Sequence, residues 1–117
     1  MFGRKPSSNS ATDLDPNSAF DMILKNKQNP EFILLDVRTL GEYNQSHIED
    51  SIQIDYQSRD FEKKVQELDK SKTYLVYCRS GMRSGASVDI MRKLGFKNLY
   101  NMAGGIMGWE NCGLPLK

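Results

Sequence analysis

Thr73-Tyr74-Leu75-Val76-Tyr77-Cys78-Arg79-Ser80-Gly81-Met82-Arg83-Ser84 carries both a fold signal and a chemical one. Its first five residues are β-branched, aliphatic or aromatic, which predicts a buried strand. The strand runs straight into Cys78. A short loop with Gly81 follows, and a helix is expected to begin near Ser84. The sulfur therefore sits at a strand end, under a loop whose backbone N–H groups can turn inward beside a helix start. Arg79 and Arg83 add formal positive charge. Each of these features favours the thiolate over the thiol, and the thiolate is the nucleophile. A thiolate can attack a sulfane sulfur by the logic of thiol–disulfide exchange and keep it as a persulfide. The alternative is an inert buried cysteine that ends a core strand; the strand–Cys–loop–helix context and the two arginines weigh against it.

Working outward, helix-like and strand-like segments alternate. Asp15-Pro16 marks a helix start, with Asp as the cap and Pro in the first turn. Ala19, Phe20, Ile23 and Leu24 then recur at helical spacing, and Pro30 closes the segment. Phe32 to Val37 is a continuous apolar run apart from Asp36, as in a strand buried on both faces. Thr39 is placed to cap a short helix that carries Glu42 and Tyr43. Ile52 to Asp55 reads as a second strand, and Ser58 as the cap of a helix holding Phe61, Val65 and Leu68. Beyond the central stretch, Ala86, Ile90, Met91 and Leu94 keep helical spacing until Gly95. Asn98 to Met102 is a last strand, followed by Gly104-Gly105 and a short helix around Trp109. A first strand is weakly written, with only Ala11 to Leu14 available. Such alternation predicts an α/β domain with a mostly parallel sheet. The functional crevice of such a sheet lies at the carboxyl ends of its strands, here Asp36-Val37-Arg38 and Cys78 onward.

A chain of 117 residues suits one domain, taken as residues 13–117 behind a flexible tail of residues 1–12. A net charge of +1, from 16 basic and 15 acidic side chains, gives no support to nucleic-acid binding. A small anionic substrate needs only a local positive pocket. The two cysteines, Cys78 and Cys112, are too few for a disulfide framework, and with the single His47 they do not complete a structural zinc site. No metal or organic cofactor is expected. No apolar run approaches the ~20 residues of a membrane helix, and residues 1–12 lack an apolar signal core. A cytoplasmic protein with no membrane partner is the expectation.

The chain resembles the rhodanese family from about Asp13 to Pro115. Leu35-Asp36-Val37-Arg38 with Glu42-Tyr43 is similar to its D-V-R-x-x-x-E-Y stretch, and Ser46-His47-Ile48 to its G-H-I step. Cys78 to Ser84 is similar to its active-site loop, and Ala103-Gly104-Gly105 with Trp109 and Pro115 to its closing G-G-x-x-x-W…P pattern. The resemblance implies a rhodanese-like five-stranded parallel sheet flanked by helices on both faces. It implies sulfur transfer from thiosulfate or a persulfide to cyanide, a thiol or a protein acceptor, with Cys78 as carrier. Residues 79 to 83 (Arg79, Ser80, Gly81, Met82, Arg83) would form the cradle. Arg83 would contact the donor or close the loop, and Arg79 would set the local field. Cys78 to Arg83 is Cys-x4-Arg; related phosphatases use Cys-x5-Arg, a wider cradle suited to phosphate. The shorter loop argues against a phosphatase or arsenate reductase. A non-enzymatic interaction module, or a passive persulfide relay, would keep the same fold. The sequence departs from the family at Ser46, where Gly is usual, and at Glu49-Asp50-Ser51, where Pro-Gly-Ala is usual.

Other side chains read more simply. Asp36 and Arg38 are expected to pair and fix the loops around the site, with Ser84 in support. Glu42 is read as a partner for Arg38 or a backbone amide, His47 as structural, and Trp109 as an anchor for the last helix. Gly104-Gly105 is read as a tight turn, Cys112 as a bystander thiol, and Arg59 to Lys70 as a solvated helical face.

Overall fold

The computed structural model describes residues 12–117. Apart from Thr12, the tail lies outside the described residues, as does Ala11 of the weak first strand. The elements are β1 (Asp13–Leu14), α1 (Pro16–Lys25), β2 (Phe32–Asp36), α2 (Leu40–Gln45), β3 (Ile52–Gln53), α3 (Phe61–Gln66), β4 (Thr73–Tyr77), α4 (Met82–Lys93), β5 (Asn98–Met102) and α5 (Gly105–Asn111). The strands form one parallel sheet in the order β1-β5-β4-β2-β3. β4 is central, between β2 and β5, so Cys78 leaves the sheet at its middle.

Side chains alternate across a strand, and β4 shows where each set goes. Tyr74, Val76 and Cys78 face one core with Phe61 and Val65 of α3 and Val88 and Met91 of α4. Leu75 and Tyr77 face the other, with Ala19 of α1 and Ile106 and Trp109 of α5. Both faces are thus covered, which is why β2 and β4 are apolar almost throughout. Trp109 donates from Nε1 to the Pro115 carbonyl at 2.8 Å and meets Phe20 edge-on, at 5.5 Å between ring centroids. It anchors α5 as its sequence context suggests.

The helix starts follow their caps, with two corrections. The Asp15 carboxylate accepts from the Ser18 amide at 2.8 Å. Thr39 and Glu42 form a reciprocal capping box, Glu42 N–H to Thr39 Oγ1 at 3.2 Å and Thr39 N–H to Glu42 Oε1 at 3.1 Å. Ser58 does not cap α3. Its hydroxyl is taken by the Asp60 carboxylate, and the helix starts at Phe61 with Asp60 in the cap position and no side-chain cap bond. α4 begins at Met82, two residues before the apolar pattern implies. Gly81 takes φ +103 and completes the turn alone, so the Gly85 N–H already reaches the Gly81 carbonyl at 3.0 Å. β3 is shorter than Ile52 to Asp55, ending at Gln53. Among the described residues no helix is long and apolar enough to cross a membrane.

Candidate active site

Cys78 is 1% exposed, at the carboxyl end of the central strand. Its Sγ accepts from the Gly81 N–H at 3.0 Å and from the Ser84 hydroxyl at 3.4 Å. Burial pushes the thiol up. The Ser84 hydroxyl and the amides of Ser84, Gly81 and Ser80 more than offset it, and the thiol lies below its ordinary value. The loop and the first turn of α4 therefore stabilise a thiolate through the Ser84 hydroxyl and main-chain amides. The side chains of Arg79, Ser80 and Met82 point outward and are exposed, Met82 to 79%.

The loop carbonyls turn the other way. The Cys78 carbonyl accepts from the Ile106 amide at 2.9 Å, and the Arg79 carbonyl from the Met107 amide at 3.1 Å. These bonds link the loop to the first turn of α5. Sequence reasoning missed them, since Gly104-Gly105 signals only that a turn is there.

The two arginines of the loop differ. Arg83 is bidentate on Glu42, Nη1 to Oε1 at 2.9 Å and Nη2 to Oε2 at 3.0 Å. It closes the loop against α2, and the carboxylate holds its guanidinium protonated beyond the ordinary range. Glu42 thus pairs with Arg83 rather than Arg38, besides accepting from the Thr39 amide. Arg79 has no carboxylate within ion-pair distance among the described residues. It lines a cleft of about 250 Å³ together with Arg38, Glu42, Met107 and Glu110.

Asp36 and Arg38 form the expected pair beside this cleft. Arg38 Nε and Nη2 reach both carboxylate oxygens, the shortest contact 2.7 Å, and the Arg38 N–H adds a bond of 2.9 Å. Arg38 Nη2 also donates to the Ser46 carbonyl at 2.7 Å, and Gln53 Nε2 to the Arg38 carbonyl at 2.7 Å. The pair ties the ends of β2, α2 and β3 together. Beneath it the Tyr77 hydroxyl accepts from the Ile48 N–H at 3.1 Å and meets Ser51 Oγ at 3.0 Å. Burial, then the Asp36 charge, pushes that phenol well above its ordinary value, so it stays protonated. This network was not foreseen.

His47 stacks on Tyr43 at 3.9 Å between centroids, with Nδ1 2.9 Å from the Tyr43 carbonyl. Its backbone exchanges hydrogen bonds with Lys117. Cys112 is exposed at the far end of α5, with Asn17 Nδ2 at 3.9 Å from its sulfur. Among the described residues the site comprises one cysteine, a cradle of main-chain amides with the Ser84 hydroxyl, one arginine without a carboxylate partner and two ion pairs that hold the surrounding loops.

Comparison with known proteins converges on one family. The family model described as "Rhodanese-like domain" matches residues 20–112. A protein of Allochromatium vinosum named "Sulfurtransferase" is 31% identical over 86 residues, covering 74% of this chain and 78% of its own. The "Thiosulfate sulfurtransferase GlpE" of Actinobacillus pleuropneumoniae is 28% identical over 106 residues, covering 91% of this chain and 93% of its own. The crystal structure of a rhodanese-related protein from Thermoplasma volcanium superposes with a TM-score of 0.74 at 28% identity, over 90% of this chain and 96% of that one. With the parallel sheet, the central cysteine and these matches in agreement, the chain belongs to the rhodanese-like domain family.

Proposed function

We propose that residues 13–117 form a sulfurtransferase that carries a sulfane sulfur on Cys78. The observation that supports this most directly is the pair of donors on Sγ, the Gly81 N–H at 3.0 Å and the Ser84 hydroxyl at 3.4 Å. They stabilise the thiolate before reaction. With thiosulfate as donor, the Cys78 thiolate attacks the outer sulfur. The new Sγ–S bond forms as the S–S bond of thiosulfate breaks, and sulfite departs with the bonding pair. An acceptor, cyanide or a thiolate, then attacks the terminal sulfur. The Sγ–S bond breaks, and its pair returns to Sγ as the thiolate. The cycle is two nucleophilic substitutions at sulfur, so it draws on no metal or organic cofactor.

Arg79, which has no carboxylate partner among the described residues, attracts the small anionic donor. Arg83, held by Glu42, shapes the loop instead. The names of the relatives favour thiosulfate as a donor and leave the acceptor, small thiol or protein thiol, to experiment. Two free cysteines, one of them exposed, suit a reducing cytoplasm.

The test is thiocyanate formation from thiosulfate and cyanide, comparing the chain with Cys78→Ser, with intact mass measured after thiosulfate treatment. Turnover and a one-sulfur mass gain, both lost in the variant, are expected. No turnover and no added sulfur would overturn the proposal in favour of an interaction module. Added sulfur without turnover would reduce it to a persulfide relay that needs its own partner.

A further inference from the structure

The cradle around Cys78 combines the Ser84 hydroxyl with peptide N–H groups, and something must set the orientation of those peptides. A trans peptide points its C=O and the following N–H in opposite directions. Fixing one therefore fixes the other. The Arg79 carbonyl is held outward by the Met107 amide at 3.1 Å, so the Ser80 N–H at the other end of the same peptide is aimed back toward Cys78, where it helps hold the thiol down. The Cys78 carbonyl is held by the Ile106 amide at 2.9 Å, which fixes the peptide before it. Both donors belong to the first turn of α5, more than twenty-five residues along the chain from the loop they hold.

This contact is backbone against backbone. A methyl on Gly105, which sits at φ +60, would lie 2.4 Å from the carbonyl carbon and oxygen of Arg79 and 2.6 Å from the Cys78 oxygen. A methyl on Gly81 would lie 3.2 Å from the Gly104 nitrogen. The turn is itself anchored from behind, because the Ala103 N–H donates to the Leu14 carbonyl of β1 at 2.8 Å. A turn needed only for chain reversal would not have to press its α-carbon against the loop that holds the sulfur.

We propose that the Gly104–Gly105 turn, with the Ile106 and Met107 amides, is the positioning element of the sulfur cradle, and that Gly105 is its positioning residue. The proposal rests on reading Cys78 as the sulfur carrier. α5 acts through the loop and does not touch the sulfur. By holding the Arg79 carbonyl away from Sγ it presents the Ser80 N–H of that peptide to the sulfur, and by holding the Cys78 carbonyl it fixes the start of the loop.

Gly105→Ala drives a methyl into main chain and endangers folding, so the test removes a single hydrogen bond. The chain is assembled by ligation at Cys78, joining residues 1–77 to a synthetic 78–117 that carries Cys112→Ser. In one product the amide of Met107 is replaced by an ester, which deletes the donor to Arg79 and leaves every side chain in place. In a control the ester replaces the Leu114 amide, whose partner is the Trp109 carbonyl at 3.2 Å. The rate of Cys78 alkylation by iodoacetamide is followed against pH, and the rate of sulfur loading from thiosulfate is measured at pH 7.

The Met107 ester is expected to move the alkylation midpoint upward and to slow loading by roughly fivefold, the effect of weakening one hydrogen bond to the thiolate. The Leu114 ester leaves both as they were. A Met107 ester with an unchanged midpoint and loading rate would overturn the proposal, as would an equal shift in both esters. Alkylation reads the resting thiol and needs no sulfur transfer. A parent protein that takes up no sulfur would therefore sink the sulfurtransferase reading while the alkylation test of the cradle still stands.

Discussion

The Arg83 guanidinium is joined to the Glu42 carboxylate by two bonds, of 2.9 and 3.0 Å, across 41 positions of sequence. The relationship changes what the second arginine of the loop can offer. A bidentate pair is geometrically demanding, so Arg83 is committed to α2 and holds the loop against it.

Glu42→Gln should therefore act first on stability. The bonds from Arg83, together with those from the Thr39 amide and hydroxyl, hold the carboxyl down at about 2 despite partial burial. A group lowered in the folded state contributes above its unfolded value and ceases to do so as pH falls through its folded one. The pair should contribute fully above about pH 4.5 and fade toward pH 2. At neutral pH the variant should lose about 1–2 kcal/mol, allowing for solvent screening. Urea titrations of both proteins at pH 7 and pH 3 check this; an equal gap at the two values would contradict it.

The Asp36–Arg38 pair predicts a larger loss. The two residues are 0% and 4% exposed, and removing either leaves a buried, uncompensated charge. Asp36→Ala should cost about 3–5 kcal/mol. Replacing both by apolar residues should cost less than the sum of the single changes, because no charge is then stranded. Denaturant unfolding of the three variants measures the coupling, and additive losses would rule it out.

Ser84→Ala removes the side-chain donor to Sγ while leaving its amide. The remaining donors offset burial less well, so the Cys78 thiol should move upward and the pH–rate profile for sulfur loading should shift to higher pH. At pH 7 loading should fall by roughly three- to tenfold, and at alkaline pH the difference should narrow. Loading rates measured from pH 5 to pH 10 test it. A loss of the same size at every pH would point to disrupted packing instead of a weakened thiolate.

Asp50 adopts φ +71, among the described residues the one non-glycine in the left-handed region. It stands where the family usually has Gly. Its ion pair with Lys27, 3.6 Å long between exposed groups, contributes little in return. Asp50→Gly should raise stability by about 0.5–1 kcal/mol, the relief of strain less the added freedom of the unfolded chain. Thermal unfolding should register a rise of a few degrees. A fall would mean that the Lys27 contact outweighs the strain.

Local signals in the sequence foretell local structure well. Asp15-Pro16 and the Thr39–Glu42 box mark their helix starts because a cap is a contact between near neighbours. Ser58 misleads because Asp60, two residues on, competes for the same hydroxyl. The start of α4 is misplaced because side-chain periodicity cannot register a glycine that completes the turn by its φ angle. The position of Cys78 at a strand end is legible in Thr73 to Tyr77, which is a strand by composition alone. The partners of the site are not legible. Glu42 and Arg83, or Arg79 and Met107, meet only because the sheet order brings distant segments together, and a main-chain donor such as Met107 leaves no mark on residue type.

The strand order has a kinetic consequence. β1 and β3, the two edge strands, are two residues long, whereas β4 pairs along its whole length with β2 and from Thr73 to Val76 with β5. Local opening begins where few bonds hold, so the edges should exchange their amide hydrogens fastest and β4 slowest. Cys78 is thus mounted on the strand expected to open last. Fraying at β3 can then admit solvent at the rim without disturbing the strand from which Cys78 emerges.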